Sequence, residues 1–515
     1  MIRKLFILFA LCSIALYGCA VNPVTGKREL GLVTESQELQ IGSQQYLPSR
    51  QMQGGDYVID PELTKYVNDV GQRLAAVSDR KLPYEFVVLN NSVPNAWALP
   101  GGKIAVNRGL LTELNNEAEL AAVLGHEVVH AAARHGAQGM ERGIMLKGAV
   151  AIAGIASQGS NYANLAVRGA QTATSLINQK YGRNAESESD LYGMKYMSRA
   201  GYDPRAAISL QEIFLRLSEG RNTDWLSGLF ASHPPSQQRV DANRATAKTL
   251  PESGELGVQR YKGKIARLIQ TKDAYNALDM GSKALSEGNT TEALALAQQA
   301  IRGEPNEGRF YALVGDVYMK QKQYQNALAS YNKAVELNSE FFYFYAQRGL
   351  NKQKLGDQQG ARIDLEKSTK LLPSATALNA LGNMSLAQGN LPEAMQYFKD
   401  ASPSNSEPGR QAARSFVKLD MHENPNSHIK ARVNLNYKRF VIITVINPTP
   451  IPVRDVKVII RYPDSQGKAL EMVKDVSNIL SSGKSTIVET GIGPVEDPKT
   501  LRYMRVNVIK ANVVE

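Results

Sequence analysis

Apolar residues early in the chain recur at the spacing of a buried helix face. Asp60 and Pro61 are a typical cap and first residue of a helix. The residues that follow form one stripe with a period of about 3.6 residues, namely Leu63, Val67, Val70, Leu74 and Val77. The pattern predicts an amphipathic helix, preceded by a short helix that Thr34 and Gln37 cap reciprocally.

The pattern then changes to short runs of β-forming residues. "YEFVVLN" from Tyr84 predicts a strand, and "NAWALPGGKIAVN" from Asn95 predicts two strand segments that meet at residues 100–102. A helix with three histidines follows. After it, "IMLKGAVAIAGIA" at residues 144–156 is apolar but too short to span a membrane, which favours a buried helix or a helix that covers a cleft.

Small residues repeat at a fixed interval from about residue 274. Four glycines lie 34, 34 and 33 residues apart, and two sets of mostly alanine positions keep the same spacing. The three sets are Gly281, Gly315, Gly349 and Gly382; Ala293, Ala327, Ala361 and Ala394; and Ala300, Ala334, Ser368 and Ala401. This period is typical of tetratricopeptide repeats, whose concave surface binds segments of other proteins.

The last stretch alternates apolar and polar residues with a period of two. "RFVIITVINP", "VRDVKVIIRY", "KSTIVET" and "MRVNVIKANVV" are rich in β-branched residues and are separated by turn residues. They predict a small antiparallel β-sandwich. His422 and His428 lie before it, and we expect both to be solvated.

The first 18 residues have the composition of a secretory signal. Arg3 and Lys4 precede an apolar run, and "LYGC" resembles a bacterial lipobox. The resemblance implies cleavage before Cys19, acylation of its thiol and anchoring to the outer membrane as a lipoprotein in the periplasm. An ordinary signal with a chance cysteine, and hence a soluble periplasmic protein, is the alternative.

Composition adds two constraints. The chain has two cysteines, and Cys12 would leave with the signal while Cys19 would be acylated, so no disulfide is expected. The net charge is +11 from 60 basic and 49 acidic residues, and removing Arg3 and Lys4 leaves 58 against 49, or +9. Spread over the chain, this charge is mild, and the sequence has no basic block of the nucleic-acid-binding kind.

The stretch "EAELAAVLGHEVVHAAARHG" carries the candidate chemistry. Asn116 as a cap and Gly136 as an end signal predict one helix over residues 117–135. On it His126 and His130 are four residues apart and face the same way, so both can bind one metal ion. With Glu127 between them this is the H-E-x-x-H pattern of zinc peptidases, in which the glutamate is the general base.

The third histidine, His135, is half a turn away from His126 in azimuth. It cannot join the site from the same helix. We expect it to act as a cation at the helix C-terminus.

A third protein ligand must come from elsewhere, and "RNAESESDLYG" offers three acids. On a helix Glu186 and Asp190 share a face that reads as buried, while Glu188 points towards solvent. Glu186 is therefore the better metal ligand, and Asp190 the better hydrogen-bond partner to orient a histidine. An acidic, solvent-facing helix start is the alternative.

Five motifs in order carry a family resemblance: "NPVTGKREL", "NAWALPGGKIAV", "LGHEVVHAAARHG", "RNAESESDLYG" and "HPPSQQR". Together they resemble the HtpX and BepA type of zinc metallopeptidase, peptidase family M48, in its periplasmic form with C-terminal tetratricopeptide repeats. Ser189 stands where the family usually has alanine, and Val129 where it usually has a smaller residue.

The resemblance implies one Zn²⁺ per chain, held by His126, His130 and Glu186, with Glu127 as general base. It also implies that His233 lies on a loop that can approach and cover the zinc, and that Arg239 is near the active centre. From the residues alone, His233 before a proline suits a covering loop, but a plain surface histidine is the alternative. Arg239 or another donor would stabilise the oxyanion.

We therefore predict a multidomain protein. It combines an α+β zincin-like (gluzincin) metalloprotease domain, an all-α tetratricopeptide superhelix and a C-terminal antiparallel β-sandwich. The predicted boundaries are 1–18 for the lipoprotein signal, 19–55 for an N-terminal segment, 56–262 for the protease, 263–408 for four repeats and 430–515 for the sandwich.

The predicted function is zinc-dependent cleavage of misfolded or stalled envelope proteins, with the repeats binding clients or the outer-membrane assembly machinery. An extended substrate would add to a sheet edge at the strand from Lys103 to Val106, which Ile104→Pro would disrupt. The alternative is a proteolytically silent, chaperone-like repeat scaffold tethered to the outer membrane.

Overall fold

The structure is a computed structural model that describes residues 19–151, 181–220, 232–464 and 467–514. The predicted signal, residues 1–18, lies outside these ranges, and so does the end of the predicted apolar helix, residues 152–156. The chain divides into two compact units, Met1–Leu372 and Pro373–Glu515. The domain boundaries predicted from the sequence stay predictions.

The first unit begins with a hairpin of two short strands, followed by two helices and a three-stranded sheet. These elements are β1 (Cys19–Val21), β2 (Arg28–Leu30), α1 (Glu35–Met52), α2 (Pro61–Ala76), β3 (Glu85–Leu89), β4 (Ala96–Leu99) and β5 (Lys103–Asn107). Both predicted caps form, since the Thr34 side chain accepts from the Gln37 amide and Asp60 accepts from the Leu63 amide. The helix that Thr34 caps is longer than predicted, at 18 residues.

Helices make up the next part of this unit. They are α3 (Arg108–Leu111), α4 (Glu117–Ala132), α5 (His135–Ala151), α6 (Arg183–Arg199), α7 (Ala206–Gly220), α8 (Gln237–Ala247), α9 (Val258–Lys264) and α10 (Ala266–Gln270). The predicted apolar helix begins within α5. None of the helices in the described ranges has both the length and the hydropathy that crossing a bilayer requires.

The prediction that Lys103–Val106 forms a sheet edge is wrong. Strand β5 lies in the middle of its sheet, parallel to β3 and antiparallel to β4. The side chain of Ile104 is fully buried, so Ile104→Pro would remove a central ladder bond and break the sheet. The turn between β4 and β5 does use the predicted glycines, because Gly101 and Gly102 have φ of 79° and 82°.

Three helix pairs with the predicted period complete the first unit. They are α11 (Lys272–Ser286) with α12 (Thr290–Gly303), α13 (Gly308–Lys320) with α14 (Tyr324–Leu337), and α15 (Phe342–Lys354) with α16 (Gln358–Leu371). Gly315 is small because a Cβ there would lie 2.5 Å from the Tyr331 ring. The repeated glycines therefore mark close contacts between the helices of a pair.

The second unit contains a further helix pair and two short antiparallel sheets. Its helices are α17 (Ala375–Ala387), α18 (Leu391–Ala401), α19 (Glu407–Asp420), α20 (Pro425–His428) and a 3₁₀ turn (Pro498–Tyr503). Its strands are β6 (Lys430–Leu435), β7 (Val441–Ile446), β8 (Val453–Pro463), β9 (Ala469–Val476), β10 (Ser485–Glu489) and β11 (Arg505–Val513). The sheet orders are β10-β7-β6 and β11-β8-β9.

The two sheets form the predicted sandwich because their inner residues share one apolar core, which includes Val441 and Ile443 of β7 and Val458 and Ile460 of β8. The two histidines before the sandwich differ from each other. The His422 side chain is 81% exposed, as predicted. His428 is buried, and its Nε2 lies 2.6 Å from Asp420 Oδ2, so the prediction of a solvated His428 is wrong.

Candidate active site

The histidine helix α4 is buried along its whole length and crosses α6 at a pair of glycines. A Cβ on Gly193 would lie 3.2 Å from the His126 amide nitrogen, and a Cβ on Gly125 would lie 3.3 Å from the Gly193 carbonyl oxygen. The two backbones can approach closely only because both residues lack a side chain. This contact brings the acids of α6 next to the histidines of α4.

Four buried side chains converge at this crossing. Nε2 of His126 lies 3.0 Å from Nε2 of His130 and 3.6 Å from Oε2 of Glu186. Nε2 of His130 is 3.4 Å from Glu186 Oε1, and Nδ1 of His233 is 2.9 Å from the same oxygen. One donor atom from each of the four residues lies within 4.8 Å of the others. The group can therefore hold a metal ion.

The donor set fits zinc in both chemistry and spacing. Zinc takes imidazole nitrogen and carboxylate oxygen at about 2.0–2.1 Å in a tetrahedron, which puts neighbouring ligand atoms about 3.3 Å apart. The separations between these donor atoms given above run from 2.9 to 3.6 Å. The alternative in which Glu186 belongs to a solvent-facing helix start is wrong, because Glu186 is 3% exposed.

Glu127 lies beside the donor group without joining it. Its Oε1 is 3.7 Å from Nε2 of His233, and its buried Oε2 has no hydrogen-bond partner among the described residues. Burial raises the pKa of Glu127, although the nearby His233 and His126 counteract part of this effect. A carboxylate with a raised pKa and a free, buried oxygen is suited to accept a proton.

Asp190 and Arg239 orient one of the histidines. Asp190 Oδ1 is 3.0 Å from Nδ1 of His126, so the Nδ1–H donates to the carboxylate and Nε2 is the nitrogen left to bind a metal. Arg239 in turn donates to both Asp190 oxygens at 2.7 Å. Burial opposes ionisation of Asp190, but the bonds from Arg239 and His126 outweigh it and lower the Asp190 pKa.

Arg239 is near the centre, as expected, but its guanidinium is already engaged. Nη1 lies 3.0 Å from Glu186 Oε2 and donates to the Pro234 carbonyl oxygen at 3.3 Å. Together with its bonds to Asp190, every nitrogen of the group has an acceptor. The arrangement favours a positioning role for Arg239 over an oxyanion donor.

His233 is 3% exposed, which contradicts the surface alternative. It precedes Pro234, and the chain then enters α8, whose cap Ser236 accepts from the Arg239 amide. Both rings nearest to it belong to metal-ligand candidates, at centroid distances of 5.1 Å to His126 and to His130. The structure therefore places His233 inside the donor group.

The pKa values of the residues in the donor group are shifted in different directions. Burial opposes protonation of His126, but Glu186 and Asp190 outweigh burial and raise its pKa to about 10. Burial, together with the neighbouring His126, holds the pKa of His130 well below its usual value. Burial also opposes ionisation of Glu186, but the surrounding histidines hold its pKa well below its usual value. The site therefore stabilises one carboxylate among several imidazoles.

The sequence prediction missed residues on the far side of His130. Helix α4 ends at Ala132 because Arg134 adopts a left-handed backbone with φ of 63°, and Gly136 lies inside the next helix. His135 therefore starts α5, and the prediction of a C-terminal cation on one long helix is wrong. Its Nδ1 lies 2.9 Å from Nδ1 of His130. The ring of Tyr181 stacks on His130 at a centroid distance of 4.0 Å.

Glu188 was also predicted incorrectly, as a solvated residue. Its side chain is 15% exposed, and its Oε1 lies 3.3 Å from Nε2 of His135. Ser189, the unusual residue at a family alanine, is fully buried, and its hydroxyl is 3.4 Å from Nδ1 of His135. Only knowledge of which element faces α6 could have revealed these contacts.

Comparison with known proteins agrees with this site. The model of peptidase family M48 matches residues 61–247, and two tetratricopeptide repeat models match residues 315–356 and 374–402. A Vibrio cholerae relative is 32% identical over 199 residues, which cover 37% of this chain and only 40% of the relative. The match thus spans less than half of that protein.

Two further relatives cover more of their own length. The Beta-barrel assembly-enhancing protease of Yersinia pestis is 26% identical over 441 residues, which cover 74% of this chain and 88% of the relative. Metalloprotease YcaL of Escherichia coli strain K12 is 31% identical over 180 residues, which cover 33% of this chain and 67% of the relative. This chain therefore belongs to peptidase family M48 and is a metallopeptidase with tetratricopeptide repeats after the peptidase domain.

Proposed function

We propose that this chain is a zinc-dependent endopeptidase of the bacterial cell envelope that degrades misfolded or stalled periplasmic and outer-membrane proteins. The observation that carries the proposal is the convergence of His126, His130 and Glu186, beside a buried oxygen of Glu127 to which none of the described residues hydrogen-bonds. A set of donors that fits zinc and adjoins a base has the parts that hydrolysis of a peptide bond requires.

Each residue has a distinct role in this proposal. When bound, zinc acidifies a water molecule and polarises the peptide carbonyl group. Glu127 accepts the proton at Oε2 and later returns it to the leaving amine. Asp190 keeps the His126 tautomer that exposes Nε2, and Arg239 holds Asp190 and Glu186 in place.

An extended polypeptide suits the sheet next to the site. Strand β4 is an edge strand of the β3-β5-β4 sheet, and Ala96 at its start lines the same cavity as His126 and Glu127. The four residues of β4 are buried, so a substrate would add to this edge only once the edge is uncovered, and its backbone would then lie along α4. This geometry favours unfolded or stalled chains, because a folded protein has few free extended segments.

The cellular setting of the proposal comes from the relatives and the signal. One relative carries the name of a protease that enhances β-barrel assembly, which supports outer-membrane proteins as clients here. The repeats supply a surface for those clients or for the assembly machinery. Acylation of Cys19 would anchor the chain to the outer membrane, whereas without acylation it would be soluble in the periplasm.

A silent scaffold is not favoured. In a protein whose peptidase part only binds, nothing would keep a metal-ligand set, a general base and the partners of His126 together in a buried site. The repeats and the peptidase activity are compatible, since the repeats can deliver the chains that the site cuts.

Glu127→Gln tests the proposal. We expect cleavage of casein by the zinc-loaded protein to fall by about 10²- to 10⁴-fold, the usual contribution of a general base. Bound zinc, measured on the same sample, should stay near one per chain because Glu127 is not among the grouped donors.

The matched control is Glu62→Gln, at an exposed position in α2, which should cleave casein normally. Full cleavage by Glu127→Gln, or purified protein that takes up no stoichiometric zinc, would contradict the peptidase mechanism and favour the scaffold.

A further inference from the structure

The two nitrogens of His130 face different surroundings. Nε2 points to the other donors, 3.0 Å from Nε2 of His126 and 3.4 Å from Glu186 Oε1. Nδ1 points away from them, 2.9 Å from Nδ1 of His135. A histidine that binds a metal through one nitrogen needs an acceptor for the hydrogen on the other. For His130 that acceptor is another imidazole, whereas His126 uses the carboxylate of Asp190.

His135 has its own acceptor on the opposite side. Its Nε2 lies 3.3 Å from Oε1 of Glu188, and both side chains are largely buried. Carboxylates accept, so Nε2 of His135 carries the hydrogen and Nδ1 presents a lone pair. The Nδ1–H of His130 can then donate to Nδ1 of His135. This is the tautomer that leaves Nε2 of His130 free for a metal.

The chain of hydrogen bonds continues into the N-terminal hairpin. Nδ2 of Asn22 donates to Glu188 Oε1 at 3.0 Å and to Glu29 Oε1 at 3.1 Å. The Oδ1 of Asn22 accepts from the amides of Val24 and Thr25, which fixes the side chain in the turn after β1. Asn22 is fully buried. Both groups of its amide are therefore committed.

The local backbone explains how His135 reaches His130. Arg134 is held in its left-handed conformation by Glu38 of α1 and by the Val33 carbonyl oxygen, to which its guanidinium donates. The chain reverses direction there, and α5 starts with His135 facing back to α4. A histidine on a continued α4 would not face His130 at this distance.

We propose that His135 and Glu188 are positioning residues for the metal ligand His130, and that Asn22 makes the N-terminal hairpin part of the metal site. The inference rests on the proposed function, since it presumes that His130 binds zinc. It adds that the hairpin formed by β1 and β2 contributes to zinc affinity through the bond from Asn22 to Glu188.

Zinc affinity, measured on the full chain by competition with a chromophoric chelator, tests this proposal without reference to activity. His135→Phe and Glu188→Gln should each raise the zinc Kd by about 10- to 100-fold, the usual effect of losing a partner of a ligating histidine. His135→Gln keeps an acceptor for Nδ1 of His130 and should recover part of the affinity.

Asn22→Asp tests the contribution of the hairpin separately. Aspartate keeps the oxygen that accepts from Val24 and Thr25, so the turn is retained, but it loses the donor and sets a second carboxylate against Glu188. We expect a zinc Kd raised by up to about 10-fold, at the low end of the range for such partners. The apo forms should keep the wild-type circular dichroism, and the melting temperature of Asn22→Asp should fall because its buried carboxylate faces those of Glu188 and Glu29.

A double-mutant cycle distinguishes hydrogen bonds that act as one connected series from a general loss of rigidity at the site. If the bonds act in series, Asn22→Asp should have no further effect on the zinc Kd in the His135→Phe background. An equal loss in both backgrounds would overturn the proposal. The matched control is His422→Phe, since His422 is 81% exposed in the other unit, and its zinc Kd should be that of the wild type.

Failure of the inference and failure of the proposed function give different results. If the wild type binds zinc tightly and the zinc Kd of His135→Phe, Glu188→Gln and Asn22→Asp stays within twofold of the wild-type value, only the inference is contradicted. If the wild type binds no zinc, both fall together.

Discussion

At the scale of single residues, the two histidines of α4 differ mainly in what their second nitrogen meets. His126 donates to Asp190, an ionised acid fixed by Arg239, whereas His130 donates to a neutral ring. A charged acceptor makes an imidazole a stronger donor to a metal than an uncharged one does. We therefore expect His126 to be the tighter of the two ligands.

If zinc were held by His126, His130 and Glu186, His233 would be a fourth donor at a site that needs an open position for water. Its Nδ1 is 3.3 Å from Nε2 of His126 and 2.9 Å from Glu186 Oε1, and three protein ligands are what a catalytic zinc site usually keeps. His233→Ala should therefore increase casein cleavage, by up to about 10-fold if the uncovered site is about one-tenth populated. The measurement is initial cleavage rate at saturating zinc.

The same change at an exposed histidine, His422→Ala, should leave the rate unchanged. A fall in the rate of His233→Ala, with zinc still bound, would mean that His233 assists the reaction and does not cover the site.

At the scale of elements, the site is a crossing of two helices that each present a pair of residues four apart. On α4 the pair is His126 and His130, and on α6 it is Glu186 and Asp190. The Gly125–Gly193 contact sets the distance between the helices. A larger residue at Gly193 would push α6 away and separate all four side chains at once.

The repeat pair α13–α14 contains an acid whose titration reports on its packing. Asp316 accepts from the hydroxyls of Tyr331 and Tyr343 at 2.7 and 2.8 Å. Burial nevertheless raises its pKa from 3.8 to about 6. The folded state then holds this proton more tightly than the unfolded state. The protonated Asp316 therefore contributes its whole stabilisation below about pH 4, and this stabilisation is lost as the pH rises through about 6.

Asp316→Asn removes this titration. Between pH 4.5 and pH 7.5 the free energy of unfolding of the variant should rise by about 1 kcal/mol relative to that of the wild type. This gain is less than the full pKa shift implies, because the Asp316 side chain is only half-buried. The readout is the midpoint of the urea transition that includes the repeats. The control is Asp279→Asn, because Asp279 is exposed and lines the same cavity as Asp316. An equal gain in stability from Asp279→Asn would contradict the assignment to Asp316.

At the scale of the whole molecule, the candidate metal donors found in the described ranges all belong to the unit Met1–Leu372. Zinc should therefore stabilise that unit alone. At a free zinc concentration of about 100 times Kd the gain is about 2.7 kcal/mol, or about 100-fold slower exchange for amides that open with the whole unit. Hydrogen exchange followed by mass spectrometry, with and without a chelator, should show this change in α4 and α6.

Strands β7 and β8 of the other unit serve as the internal control and should exchange equally in both conditions. Zinc-dependent protection in those strands, or no protection in α4, would argue against a metal site confined to the first unit.

Local patterns allowed a large part of this protein to be predicted. His126 and His130 lie on one face because the geometry of the α-helix backbone places residues four apart next to each other. The phase of Glu186 and Asp190 follows for the same reason. The repeat period and the alternation in the last strands are local patterns as well, and the helices and sheets of the structure confirm them.

Contacts between distant segments were decided only by the tertiary structure. Periodicity tells which residues share a face but not which element covers it, so Glu188 and His428 read as solvated although the Glu188 side chain is only 15% exposed and His428 is buried. Strand order depends on pairing between segments, so β5 could be mistaken for an edge. The reversal at Arg134 needs Glu38 from another helix, and it brings His135 next to His130.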